Sequence, residues 1–376
     1  MTERVRIKYN KLYLLNTAQR GKRMKKFAVF SGFLGSGKTT AMMALTKFYS
    51  ERFGRAAMIS NDLGEGVMLA DHRLAELSGC NSRQITGECI CFCHDVLAQD
   101  LNAFYDEGCE LVISDIPGFG VGALEHVYHG LTEDHPGQFE LAPFTVLTEP
   151  HNVMNLRRGE AGEMGFILDA QLREAELIVL NKIDLIDDDE REEESSWLRL
   201  QYPEAKVLTI SALTGENLDT LCLALKNGKA SLRRPDIDYE ADDLQNAMGS
   251  LSEYFLQYRA LVCCNDFNGS TYLTDLAWEI SCALRSSGHE LPHFKLLAWS
   301  PEGDFGKADI IGTDRPVELA HRFEKPCTDL AVILNASAVC HDVTFDAMVW
   351  EAVKSVSEKY QLEITVLRKD RFGLGE

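Results

Sequence analysis

The segment Gly32-Phe33-Leu34-Gly35-Ser36-Gly37-Lys38-Thr39 constrains this chain more than any other. It follows a short apolar run, Phe27-Ala28-Val29-Phe30, and opens a helical stretch from Thr39 to about Phe53. A glycine-rich turn between a buried strand and a helix lets consecutive backbone N–H groups point inward, forming an anion site backed by the helix dipole. The pattern is that of a Walker A phosphate loop in its strand–helix setting. Gly32, Gly35, Ser36, Gly37 and Thr40 are therefore expected to line a nucleotide. Lys38 should reach the β- and γ-phosphates and serve catalysis, and Thr39 should ligate Mg²⁺.

Around this loop the chain alternates apolar runs with helical stretches. Ala56-Ala57-Met58-Ile59, Leu111-Val112-Ile113, Phe144-Thr145-Val146-Leu147, Leu177-Ile178-Val179-Leu180 and Val207-Leu208-Thr209-Ile210 read as strands. Unbroken apolar strands separated by helices indicate an α/β fold with a mostly parallel sheet covered on both faces. Asp95 to Tyr105 is expected to be helical, with Val96, Leu97, Leu101 and Phe104 apolar. Asp62 to His94, rich in Gly, Asp and Cys, is expected to be loop.

Four parts follow from this reading. Residues 1–25 form a basic extension, read as a disordered arm, a targeting segment or an artefact of start-site choice before Met24. Residues 26–227 form a P-loop domain, 228–250 a polar linker and 251–376 a smaller C-terminal α+β domain. In that last part Tyr258–Val262, Phe294–Trp299, Leu330–Leu334 and Leu362–Leu367 read as strands. Leu273–Arg285 and Phe345–Tyr360 read as helices, an order compatible with a ferredoxin-like sandwich.

Three further motifs stand at strand ends. Asp115-Ile116-Pro117-Gly118 follows Leu111–Ser114 and matches Asp-x-x-Gly, which places Asp115 on the Mg²⁺ shell and the Gly118 N–H near the γ-phosphate. Asp115 is read as catalytic, with Asp62 or Glu65 assisting from the loop. Asn181-Lys182-Ile183-Asp184 follows the fourth of these strands. A carboxylate at Asp184 can accept both the N1–H and the exocyclic amine of guanine, a donor pair that adenine lacks. Ser211-Ala212-Leu213 follows the next strand, where backbone N–H groups can donate to guanine O6. Together these elements point to GTP binding and hydrolysis.

Charge narrows the partners. The formal net charge of −20 argues against general binding to nucleic acid or anionic membrane, both polyanions. No apolar run is long enough to span a bilayer and no secretory signal is visible, so a cytoplasmic protein with reduced thiols is expected. Of eleven cysteines, four lie at Cys80, Cys89, Cys91 and Cys93. Thiolates at spacing two project to one side of an extended segment. Cys89, Cys91 and Cys93, with a fourth ligand from Cys80, His94 or Glu88, would suit Zn²⁺ or Co²⁺. Inert buried thiols are the plainer alternative. Cys263-Cys264 reads as packing.

These motifs resemble those of CobW-type GTPases, relatives of the HypB, UreG and MeaB metallocentre assembly proteins. The resemblance covers about Lys26 to Lys226 and rests on five features. They are the phosphate loop with Gly35, Asn61-Asp62-Leu63-Gly64, Gly87-Glu88-Cys89-Ile90-Cys91, Gln171 ahead of Asn181-Lys182-Ile183-Asp184-Leu185, and Ser211-Ala212-Leu213-Thr214-Gly215. It implies a slow GTPase that binds a transition metal and delivers it to a client metalloenzyme or cofactor enzyme. The alternative is a GTPase chaperone for a corrinoid or other cofactor enzyme, acting by protein contact without metal transfer. A homodimer is one expected assembly. The chain departs from the family in three ways: Phe92 replaces the third cysteine of Cys-x-Cys-Cys, Asp115 stands for the usual glutamate, and no His-rich loop is present.

Overall fold

A computed structural model describes residues 25–263, 266–310 and 315–375. The basic extension up to residue 24 and Cys264 of the adjacent pair lie outside the described residues.

The first half is a parallel sheet with helices on both faces. In chain order it contains β1 (Lys26–Ser31), α1 (Lys38–Arg52), β2 (Arg55–Asp62), α2 (Ala70–Leu77), β3 (Ser82–Thr86), α3 (His94–Asp106) and β4 (Cys109–Asp115). A π-helical turn, Leu124–His129, leads into α4 (Gly130–Asp134). Then come β5 (Glu140–Leu141), β6 (Thr145–Thr148), α5 (Pro150–Arg158), α6 (Met164–Glu174), β7 (Leu177–Leu180), α7 (Asp188–Gln201), β8 (Lys206–Thr209) and α8 (Leu218–Asn227). The strands run in the order β3-β2-β4-β1-β6-β7-β8, with the short β5 also paired to β1. All these pairings are parallel.

The apolar strand runs have a direct cause. Phe27 and Val29 of β1 enter a core on one face, beside Leu97 and Leu101 of α3 and Ile167 of α6. Ala28 and Phe30 enter the other core, beside Met42 and Leu45 of α1 and Leu221 of α8. A strand buried on both faces has no position for a polar residue, so the run is continuous. The acidic stretch after Leu185 opens α7 as a helix start: Asp187 accepts from the Glu190 N–H and Glu190 reaches back in a capping box.

Residues 62–94 depart from the loop expected there. They contain α2 and β3, and β3 forms the sheet edge by pairing with β2. The β3 residues Ser-Arg-Gln-Ile-Thr bury only Ile85, so an edge strand carried no apolar run to reveal it. The expected polar linker carries an element of its own. It contains α9 (Asp242–Gly249), whose Leu244 and Ala247 join the first core.

The second half is an antiparallel sheet. Its elements are β9 (Leu251–Val262), α10 (Gly269–Ser286), β10 (Glu290–Trp299), β11 (Phe305–Ile310), β12 (Glu318–His321), β13 (Asp329–Val339), α11 (Asp342–Lys359) and β14 (Leu362–Gly373). The order β14-β9-β13-β10 with two helices is the ferredoxin-like β-α-β-β-α-β arrangement, extended at one edge by β11 and β12. Tyr254, Leu256, Phe294, Leu296, Val332 and Leu334 pack on one face with Leu273 and Leu276 of α10 and Phe345 and Val349 of α11.

The opposite face of this sheet covers the parallel half. Leu297 and Ile333 pack on Ala70, and Phe255 packs on Val67 and Leu69. Asn335 Oδ1 accepts from the Ala70 N–H at 2.9 Å, and Gln257 Nε2 donates to Met68 O at 2.9 Å. No helix among the described residues is long and apolar enough to cross a membrane.

Candidate functional site

The phosphate loop opens α1 with a backbone that only glycine accepts easily. Gly37, the residue before α1, has φ +89°, and no side chain caps the helix start. The first-turn N–H groups thus stay free for an anion. A Cβ on Gly37 would stand 2.3 Å from Asn181 Nδ2, and one on Gly32 would stand 2.1 Å from Leu147 O. The loop is therefore pressed against the ends of β6 and β7. Ser36 Oγ is buried with no protein partner. Lys38 folds back onto Gly32 O at 2.5 Å, and burial lowers its pKa to about 8 against the attraction of Asp115.

The loop faces a cavity of about 480 Å³ lined by Gly35, Gly37, Lys38, Thr39, Thr40, Asp115, Gly118, Asn181, Lys182, Asp184, Ala212 and Leu213. Gly32, Ser36 and Ser211 are not among the lining residues but bond to residues that are: Lys38, Asn181 and Asp184. Asn181 Nδ2 donates to Ser36 O at 2.9 Å, and its Oδ1 accepts from the Ala212 N–H at 3.0 Å. One amide thus ties the phosphate loop to the Ser211-Ala212-Leu213 turn. Ser211 Oγ donates to Asp184 Oδ1 at 2.5 Å, and Lys182 Nζ donates to Glu149 at 2.6 Å. Asp184 and Leu213 remain exposed, at the open end of the cavity.

Asp115 ends β4 and accepts from the Asn61 N–H at 2.9 Å. Burial and the repulsion of Asp71 push its pKa up to about 7. Gln171 fixes the following turn by donating to Gly118 O at 3.0 Å and Gly120 O at 2.9 Å. Asp62 also lines the cavity, and burial raises it to about 6. Glu65 instead turns to the second sheet: its N–H donates to Asp370 at 2.8 Å and its carbonyl accepts from Arg368.

The cysteine loop hangs from the same strand end. The Asn61 side chain donates to Ile85 O and Glu88 O and accepts from the Ile90 N–H at 2.9 Å. Cys89 and Cys91 meet with their sulfurs 2.7 Å apart. The hydrogen bond between the two thiols lowers the Cys89 pKa, and that bond and burial raise that of Cys91. Cys93 does not join them: its thiol donates to Cys89 O at 3.4 Å, and burial raises it to about 11. Cys80 packs in the core on the other side of the sheet. His94 is engaged by Asp134 and by His126 O. Among the described residues, no three His, Cys, Asp or Glu side chains are arranged to hold a metal ion.

Sequence reasoning missed the other wall of the cavity. Glu253, His293, Lys295, Lys307, Asp309, Asn335 and Ser337 line it from the antiparallel sheet, and Asp71 lines it from α2. Asp71 accepts from Lys295 at 2.5 Å; burial works against its charge, but Lys295 outweighs that and holds it at about 2. Burial and nearby Asp62 push Glu253 well above the usual carboxylate range. The available signal was the polar–apolar alternation His293-Phe294-Lys295-Leu296, which marks a strand with two unlike faces.

Residues 26–209 match the model of the family described as CobW/HypB/UreG, nucleotide-binding domain. HypB from Helicobacter pylori in complex with nickel is similar at 16% identity over 56% of this chain and 91% of that chain, with a TM-score of 0.40. HypB from Archaeoglobus fulgidus is similar at 18% identity over 54% and 90%, TM-score 0.38. The Zn(II)-bound YjiA GTPase from E. coli is similar at 14% identity over 88% and 98%, TM-score 0.36. With phosphate loop, Asp115 turn and Asn181–Asp184 gathered on one cavity, the nucleotide-binding domain of this chain belongs to the CobW/HypB/UreG family of P-loop GTPases.

Proposed function

We propose that the protein binds Mg²⁺–GTP, hydrolyses it to GDP and phosphate, and uses that cycle to control a transition-metal ion held at the cysteine loop for a client metalloenzyme. The donors around Thr39 are a hydroxyl and the carboxylates of Asp71 and Asp115, hard oxygens that fit Mg²⁺. When bound, Mg²⁺ neutralises charge on the β- and γ-phosphate oxygens. Lys38 and the α1 N–H groups hold the same phosphates, and Asp184 and the Ser211–Leu213 turn read guanine. In hydrolysis a water oxygen bonds to the γ-phosphorus, the bond to the β–γ bridging oxygen breaks, and the water proton passes to phosphate.

Asn61 carries the metal part of this reading. Its backbone N–H holds Asp115 while its side chain holds Ile85, Glu88 and Ile90, so a movement at the γ-phosphate reaches Cys89 and Cys91 through one residue. The paired thiols suit a soft or borderline cargo ion, Zn²⁺ or Co²⁺. Two protein thiolates leave positions for ligands from the client, as transfer requires. A second reading, chaperone action by protein contact, is favoured by Phe92, which stands 68% exposed at the tip of this loop.

A Co²⁺ titration of the apo-protein separates the two. Thiolate ligation should give an intense near-ultraviolet charge-transfer band that differs between GTP-analogue and GDP states. Cys89→Ala and Cys91→Ala should abolish the band, and Cys93→Ala should retain it. No band in the wild type would leave the protein-contact reading.

A further inference from the structure

A cation from outside the phosphate loop reaches Thr39, the expected Mg²⁺ ligand. Lys295, in the middle of β10, donates to Asp71 Oδ2 at 2.5 Å and to Thr39 Oγ1 at 3.4 Å. It crosses from one sheet to the other, and its side chain is 19% exposed. Thr39 stands close enough to Asp71 to help hold its charge. The ammonium therefore stands among the same oxygens that fit Mg²⁺.

A magnesium ion held by Thr39 would occupy the space beside its hydroxyl oxygen. Two cations cannot share that small space without an anion between them, because their repulsion is strong where water is excluded. The γ-phosphate supplies such an anion, and a lysine reaching it from outside the loop stabilises charge there as a positioned cation does in phosphoryl transfer.

We propose that Lys295 is a cation of the nucleotide site supplied in cis by the antiparallel sheet. Without nucleotide it holds the place of Mg²⁺ between Asp71 and Thr39; with Mg²⁺–GTP it passes to the γ-phosphate. This rests on the GTPase reading above and extends it. Its consequence is that the antiparallel sheet senses the γ-phosphate directly. Trp299 lies four residues on along the same face of β10, under the Arg73 guanidinium of α2 at 4.7 Å, so the moving contact is the β10–α2 seam.

Calorimetry with GTPγS and GDP on wild type and Lys295→Met tests this, together with single-turnover GTP hydrolysis. The variant should lose GTPγS affinity by about tenfold or more and hydrolyse GTP about 100-fold more slowly, while GDP affinity stays within about threefold. In nucleotide-free protein, Mn²⁺ binding read by electron paramagnetic resonance should tighten by about tenfold, because the competing ammonium is gone. If Lys295→Met does not fold, Lys295→Gln, which keeps a donor for Asp71, carries the same measurements. An unchanged GTPγS:GDP ratio with unchanged Mn²⁺ affinity would overturn the proposal and leave Lys295 as a tie between the sheets. A wild type that binds neither nucleotide overturns the GTPase reading, and this proposal with it.

Discussion

On one wall of the cavity the functional groups sit at strand ends; on the other they sit in strand middles. The parallel sheet presents backbone turns: Gly32–Gly37 after β1, Asp115–Gly118 after β4, Asn181–Asp184 after β7 and Ser211–Leu213 after β8. Its central strands are buried on both faces, so only their carboxyl ends can carry polar chemistry. The antiparallel sheet has its own helices, α10 and α11, on one face only, so its other face can carry polar side chains along its length. Glu253, Lys295, Lys307 and Asn335 use that freedom. A parallel sheet thus builds a site from turns, and an antiparallel sheet builds one from alternate residues.

The comparison predicts unequal effects of mutation. The largest belongs to the turn wall. Lys38→Ala should cut GTP hydrolysis by about 1,000-fold or more with the thermal midpoint nearly kept, since Lys38 is expected to bind the transferred phosphate. Turnover at the wild-type level in that variant would remove the phosphate loop from the chemistry.

Next comes the guanine edge. Asp184→Asn should weaken GTP by about 100- to 1,000-fold, the cost of two hydrogen bonds to a charged acceptor, and should turn preference towards xanthosine nucleotides. Competition binding with GTP, XTP and ATP checks this, and equal affinities of the wild type for GTP and ATP would refute the assignment.

The smallest effect belongs to the side-chain wall. Asn335→Ala leaves the buried Ala70 N–H without its acceptor and should cost about 1–3 kcal/mol in urea unfolding. Hydrogen exchange should quicken over α2 while nucleotide affinity changes little. If exchange over α2 is unaltered, the two sheets are not coupled through this contact.

Much of the turn wall was legible in the chain itself. Glycine spacing, the carboxylates Asp115 and Asp184, and the apolar runs before them follow from local chemistry: a phosphate cradle needs left-handed glycines, and a doubly buried strand needs unbroken apolar residues. The edge strand β3 and the helix α2 escaped this reading, because an edge strand need bury only one residue and an eight-residue helix carries little periodicity. Lys295 escaped it for a different reason. The alternation along β10 states that the strand has two unlike faces, yet it is silent about what lies over the polar one. That was decided by packing Ala70, Leu297 and Ile333 together, residues brought from opposite ends of the chain, and only this contact sets Lys295 against Asp71 and Thr39. Local spacing determines which backbone can cradle a phosphate; which distant side chain completes the cradle depends on burial between two sheets, an energy that no single segment contains.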